Sequence, residues 1–148
     1  MNLQENVKFT GAVSVVVYNP TTGEVKDRRE IKNLVVTAGK EYIASRMVGT
    51  AANVMSHMAL GSGTTAAAVG DTALGSELGR VALSTGTATG AVVTYTATFG
   101  PTVATGAVTE AGVLNASSAG TLLCRTVFAV VNKGADDAMA ITWAITAS

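Results

Sequence analysis

Ala91-Val92-Val93-Thr94-Tyr95-Thr96-Ala97-Thr98-Phe99 is the stretch that decides the fold. After its first two residues it alternates strictly. Val93, Tyr95, Ala97 and Phe99 fall on one face; Thr94, Thr96 and Thr98 fall on the other. A period of two carried by β-branched and aromatic residues marks a half-buried strand. Residues 138–146 repeat the pattern, with Met139, Ile141, Trp143 and Ile145 on one side and Thr142 and Thr146 on the other. Residues 121–131 are apolar on both faces, as in a central strand covered on two sides. Toward the N-terminus, residues 10–18 and 23–36 bracket Asn19-Pro20-Thr21-Thr22-Gly23, a hairpin turn by composition. The second arm, residues 24–32, is heavily charged, which suits an exposed edge strand.

Two short helices are expected between the strands. One covers 37–48, with Thr37 as N-cap, Gly49 as its stop, and Tyr42, Ile43, Arg46 and Met47 on the inner face. The other covers 71–78 and would be capped by Asp71, although Gly70, Gly75 and Gly79 oppose it. The small, polar stretches 61–70, 84–90 and 115–120 read as loops. Strands at intervals of roughly ten residues with such loops indicate an all-β chain, an antiparallel β-sandwich of jelly-roll type. The expected core contains Val93, Tyr95, Phe99, Phe128, Ile141, Trp143 and Ile145. Residues 9–148 form one domain on this reading, and residues 1–8, without a core pattern, form an N-terminal arm that orders on a neighbour.

Charge narrows the function. Asp, Glu, Lys and Arg make up 14% of the 148 residues, against about 25% in an ordinary soluble domain. Twelve of these twenty residues lie in the first 49 positions. The later 99 positions hold only Asp71, Glu77, Arg80, Glu110, Arg125, Lys133, Asp136 and Asp137, set among Ala, Thr, Val, Gly and Ser. Such a surface suits a protein packed against copies or partners. A net charge of zero with no basic patch argues against nucleic acid. No apolar run reaches the roughly 18 residues of a membrane span. The polar start, Met1-Asn2-Leu3-Gln4-Glu5-Asn6, lacks the pattern of a signal peptide, so synthesis in the cytoplasm is expected. Cys124 is alone, which excludes an intrachain disulfide and leaves a small buried thiol.

Signals for catalysis are weak. His57 is the single histidine and has no Gly-x-Ser-x-Gly elbow, so a structural or interface role is the better reading. No further His, Cys or carboxylate cluster has metal-ligand spacing. Gly61-Ser62-Gly63-Thr64 lacks the third glycine of a dinucleotide fingerprint and the Gly-Lys of a phosphate loop, and reads as a strand-exit turn. Asp136-Asp137 reads as a solvated acidic turn rather than a cation site. Glu77, Arg80, Glu110 and Arg125 stand in neutral or apolar surroundings, where a charge is costly unless paired. They read as structural ion pairs, Arg80 and Arg125 with Glu77 and Glu110 in either arrangement, holding loops 61–80 and 109–120. No catalytic residue, cofactor or metal is expected.

These residues also carry a resemblance. The series runs through Gly61-Ser62-Gly63-Thr64, then Asp71, Leu74, Glu77 and Arg80 at intervals of three. It continues with Tyr95-Thr96-Ala97-Thr98-Phe99 and Thr109-Glu110-Ala111-Gly112, followed by Asn115-Ala116. It closes with Gly120, Leu123, Arg125, Phe128 and Ile141-Thr142-Trp143-Ala144-Ile145. From Leu60 onward the chain resembles a small β-sandwich unit that recurs in virion proteins of tailed bacteriophages. The N-terminal third matches loosely, in Asn33-Leu34-Val35-Val36-Thr37-Ala38-Gly39-Lys40. The resemblance implies a non-enzymatic virion component, assembled in the host cytoplasm. Without a receptor-binding extension, coiled coil or lytic segment, it favours a capsid decoration (cement) protein. Such a protein binds the major capsid protein and itself, as a homo-oligomer expected to be a trimer from the symmetry of shells. Met1, Asn2, Leu3 and Gln4 of the arm and Lys26, Arg28, Arg29 and Glu30 of the charged strand are the candidate partner contacts. The alternative within the resemblance is a tail, fibre or baseplate adaptor. A carbohydrate-binding sandwich ranks lower, because its exposed aromatics are lacking.

Overall fold

A computed structural model of the chain describes residues 5–49 and 53–148. The candidate contacts Met1, Asn2, Leu3 and Gln4 lie outside the described residues. The alternating stretches are strands, as their period requires. In chain order the elements are β1 (Phe9–Tyr18), β2 (Val25–Val35), α1 (Thr37–Arg46), β3 (His57–Gly61), β4 (Glu77–Ala82), β5 (Thr85–Thr89), β6 (Val92–Phe99), β7 (Gly106–Leu114), β8 (Leu122–Lys133) and β9 (Ala138–Ala147). The fold is all-β and antiparallel, one nine-stranded sheet in the order β4-β3-β7-β8-β2-β1-β9-β6-β5, curled into a half-barrel.

The curl comes from β2. It pairs with β1 along most of its length, from Gly11↔Asn33 to Tyr18↔Val25, but with β8 only at Leu34↔Arg125 and Val35↔Cys124. That short join lets the two halves of the sheet fold toward each other. Between them lies the main core: Val13, Val15, Val17, Phe99, Met139, Ile141 and Trp143 from one half, and Met58, Leu60, Val113, Cys124 and Val131 from the other. Of the expected core, Phe99, Ile141, Trp143 and Ile145 are buried, whereas Val93, Tyr95 and Phe128 are only partly so. Val93 and Tyr95 line an apolar cavity of about 140 Å³ with Phe9, Tyr42, Ile43 and Leu123. Removal from water there pushes the Tyr95 phenol up to about 12.

β8 is buried on both faces over its first five residues, because its outer face is covered too. Val36, Ala59, Leu114 and Leu122 form a second small core there, with Ala38 and Leu74 packed against it. Helix α1 docks on β8 through Gly39, where a Cβ would lie 2.1 Å from the Leu123 carbonyl oxygen.

Four local expectations are corrected. Helix α1 ends at Arg46 and not at 48; its N-cap is Val36 without a side-chain bond, and the Thr37 N–H donates to the Val69 carbonyl. Only Tyr42 and Ile43 of the expected inner face turn inward. Met47 is 85% exposed and Arg46 is exposed. Residues 71–78 are not helical: they run as bends into β4, and the N–H groups of Gly75 and Ser76 donate to a buried carboxylate instead of to a helix ladder. Residues 85–89 form a strand, not a loop, laddered to β6 from Thr85↔Thr96 to Thr89↔Val92. Finally, β2 is interior to the strand order, yet its charged stretch lacks ladder pairing on the β8 side, so the composition of an edge strand has its reason.

Candidate functional site

Glu110 lies on β7 and Arg125 on β8, beside the pair Gly112↔Arg125, on the outer face of the sheet. The loop between β3 and β4 closes over them. Glu110 is 0% exposed and Arg125 2%. The Glu110 carboxylate accepts the N–H groups of Gly63 (2.8 Å), Gly75 (2.8 Å) and Ser76 (2.7 Å). It also accepts Arg125 Nε (3.0 Å) and Nη2 (2.8 Å), both on Oε2 and both charge-assisted. Arg125 donates onward to Asp71 Oδ2 (2.8 Å) and to the Thr65 carbonyl (3.0 Å). The Thr109 hydroxyl donates to the Gly63 carbonyl at 2.8 Å. One carboxylate and one guanidinium thus hold the loop at Gly63, Thr65, Asp71, Gly75 and Ser76.

The glycines follow from this packing. A Cβ at Gly61 or Gly63 would sit 2.5 Å from Glu110 Oε1. A Cβ at Gly112 would meet Leu74 and Leu122 side chains at 2.9 Å, so Gly112 makes room for the leucine that plugs the loop. Burial alone would push the Glu110 carboxyl up; the Ser76 and Gly75 amides, Arg125 and the Gly63 amide outweigh it and hold it below its ordinary value. The Asp71 carboxyl is likewise lowered, by the Ala68 amide first and then, against burial, by Arg125. With five donors on its two oxygens, Glu110 has no open position for a substrate proton. The arrangement is a clamp.

Arg80 and Glu77 make a second clasp on β4. Their side chains pair at 2.7 Å, and Arg80 Nη1 donates to the carbonyls of Ala116 (2.8 Å) and Ala119 (2.9 Å). The structure therefore brings Glu110 to Arg125 and Glu77 to Arg80, and ties the β7–β8 loop to β4. It adds Asp71, which sequence reasoning assigned to a helix cap. The signal was its isolation: it is one more charge in a nearly neutral stretch.

A third cluster was missed. Asp137 is 2% exposed, not solvated, and pairs with Lys26 at 2.6 Å while accepting the Gly134 N–H at 2.8 Å. The Lys26 pairing lowers the Asp137 carboxyl, and the Asp137 partner raises the Lys26 ammonium. Lys133 is 1% exposed with Nζ on the Gly100 carbonyl at 2.9 Å; burial lowers its ammonium against the opposing pull of Asp137. Of the two neighbouring aspartates, Asp136 is the exposed one.

The candidate contacts on β2 separate by face. Lys26, Arg28 and Glu30 are exposed, with Lys32 next in the row. Arg29 turns the other way, pairs with Asp27 at 3.0 Å and donates to the Ala129 carbonyl at 3.1 Å, so it secures the strand beside β8. Across β1, β9, β6 and β5 the row that starts at Glu30 continues with Ser14, Thr142, Thr96 and Thr85, small and neutral throughout. His57 Nδ1 shares a hydrogen bond with the Ser56 hydroxyl at 2.8 Å. Among the described residues no group of three or more His, Cys, Asp or Glu is placed to hold a metal ion, and no helix is long and apolar enough to cross a membrane.

Comparison with protein-family models, curated proteins and solved structures gives no match for this chain.

Proposed function

We propose that the chain is a non-enzymatic structural protein of a tailed-phage virion, a capsid decoration protein that bridges neighbouring major-capsid subunits and associates with its own copies. One observation carries the reading. Of the eight charged residues after position 50, Glu110, Arg125, Lys133 and Asp137 are turned inward. What they leave outside is a sheet face of Thr, Ser and Ala, with no charged residue from 81 to 109. Charge spent on holding loops cannot keep copies apart, and such a surface favours close packing on neutral partners. Many weak contacts repeated by symmetry then add through avidity and resist the outward pressure of packaged DNA. The exposed Arg28, Glu30 and Lys32 supply the orienting electrostatics, while Lys26 is held by Asp137. The carbohydrate-binding alternative is weakened by Trp143 and Phe99, both buried.

The test is copy number and location. Purified full-length protein is added to shells lacking it, and occupancy is measured by quantitative gel analysis and cryo-electron microscopy. Hundreds of copies on the shell support the decoration role. Recovery in isolated tails alone rejects it in favour of the tail, fibre or baseplate adaptor.

A further inference from the structure

We propose that two copies of this chain join through β5, strand to strand across a twofold axis at Thr87. The inference gives a contact to the homo-oligomer of the proposed function and in that respect rests on that reading. Among the described residues β5 is a terminal strand of the sheet, laddered to β6 on one side only. All five of its residues are exposed. A strand in this position presents unpaired N–H and C=O groups along its outer side, and proteins normally blunt such an edge with charge, proline or a bulge. β5 has none of these. Its sequence is Thr85-Gly86-Thr87-Ala88-Thr89, and its ladder to β6 runs without a register shift. The nearest charges in the chain are Arg80 before it and Glu110 after it.

The same five residues are self-complementary. Antiparallel pairing about Thr87 sets Thr85 against Thr89 of the second copy, Gly86 against Ala88, and Thr87 against Thr87. Threonine meets threonine and small meets small, the requirement of an isologous contact. Cross-strand threonine pairs with hydroxyl contacts stabilise antiparallel ladders. β5 already makes one on its other side, between the Thr85 and Thr96 hydroxyls. Val54, 60% exposed, lines a shallow recess with Gly86, Thr87, Ala88 and Tyr95. The product is one continuous sheet through two half-barrels, with the threonine faces of both copies on the same outer side. A twofold, not the threefold taken from shell symmetry, is what this edge fits.

The experiment is sedimentation equilibrium on purified protein in the absence of shells, with wild type, Thr87→Lys and Thr87→Glu. Two like charges would then face each other across the axis. Wild type is expected to be a dimer. Each variant is expected to raise the dimer dissociation constant on the order of tenfold or more, and an equal mixture of the two variants should recover association. That recovery occurs only if position 87 meets position 87. A wild-type monomer or trimer, unchanged association of both variants, or a mixture that does not recover would overturn the proposal. Hydrogen exchange of wild type covers the case of a variant that misfolds. The β5 amides should be protected at high protein concentration and lose protection on dilution; concentration-independent exchange would overturn the proposal. Since no shell is present, failure here leaves shell binding untouched, and failure of shell binding leaves the dimer untouched.

Discussion

At Trp143 sequence and structure agree for one physical reason: the side chain is the largest on the buried side of an alternating strand, and it is 0% exposed. Trp143→Ala should cost about 3–5 kcal/mol, read from urea unfolding, since the cavity left in a packed core collapses only partly. Glu110 is a sharper case. The isolation of Glu110 and Arg125 made pairing legible, but Gly63, Gly75, Ser76 and Asp71 as co-partners were not, because their loop has no period from which to infer where it folds back. Glu110→Ala leaves Arg125 buried beside Asp71 alone and should cost about 3–5 kcal/mol. The double variant Glu110→Leu/Arg125→Met should cost less than that single change, because the only charge it strands, on Asp71, is partly exposed and keeps the Ala68 N–H. An equal or larger loss in the double would show that the pair itself, and not its disruption, carries the stability. The pH dependence has a definite sign. The folded Glu110 carboxyl lies below its ordinary value, so its contribution is complete above the unfolded value of about 4.3. It is lost as pH falls through the folded value. Acid unfolding monitored by circular dichroism should therefore be steeper in wild type than in Glu110→Gln, with Asp71 and Asp137 supplying the remaining slope in both.

Among the elements, the strands with apolar alternation were legible and those without it were not. β6 and β9 bury alternate large side chains, and their period shows. β5 buries none; only its ladder to β6 makes it a strand, so its Thr-Gly-Thr-Ala-Thr composition read as loop. The 71–78 stretch erred in the opposite direction. Spacings of three among Asp71, Leu74, Glu77 and Arg80 resemble a helix face, but the Glu110 carboxylate takes the Gly75 and Ser76 amides, and Leu74 plugs the second core. In α1 two effects oppose each other at Gly39. Alanine there would favour the helix by about 1 kcal/mol. Its Cβ would also lie 2.1 Å from the backbone oxygen of Leu123, which is fixed in a central strand. Overpacking against an atom that cannot move costs about 1–3 kcal/mol, so Gly39→Ala should be net destabilising. A rise in melting temperature for this variant would show that α1 is free to shift on β8.

For the whole molecule, alternation foretells strands but not their neighbours. The β1–β2 hairpin was legible from its turn, whereas β9 between β1 and β6 joins the two ends of the chain, Phe9 opposite Ala147, and leaves no local trace. The same closure bears on the N-terminal arm. Lys8 and Ser148 exchange backbone hydrogen bonds, Lys8 N–H to the Ser148 carbonyl at 2.7 Å and Ser148 N–H to the Lys8 carbonyl at 2.8 Å. Lys8 therefore extends the β1–β9 ladder, and the arm boundary belongs before it. A deletion through residue 8 would fray the end of the sheet and confuse arm loss with unfolding; a deletion of residues 1–7 spares the ladder. On shells, that shorter deletion should lower occupancy if the arm orders on a neighbour, while thermal unfolding of the free protein stays unchanged. If the chain binds shells as proposed, the β2 row would act at another stage. Arg28 and Glu30 are exposed on it, whereas Arg29 is engaged with Asp27 and β8. Exchanging the two exposed charges, Arg28→Glu with Glu30→Arg, preserves net charge and reverses the local pattern. Rim charges act mainly on association rate and salt dependence. The exchange should slow loading onto shells at low salt and converge with wild type as salt rises past the screening range of a few tenths molar. An exchange variant that loads at the wild-type rate at every salt concentration would remove β2 from the contact and leave binding to the neutral threonine face.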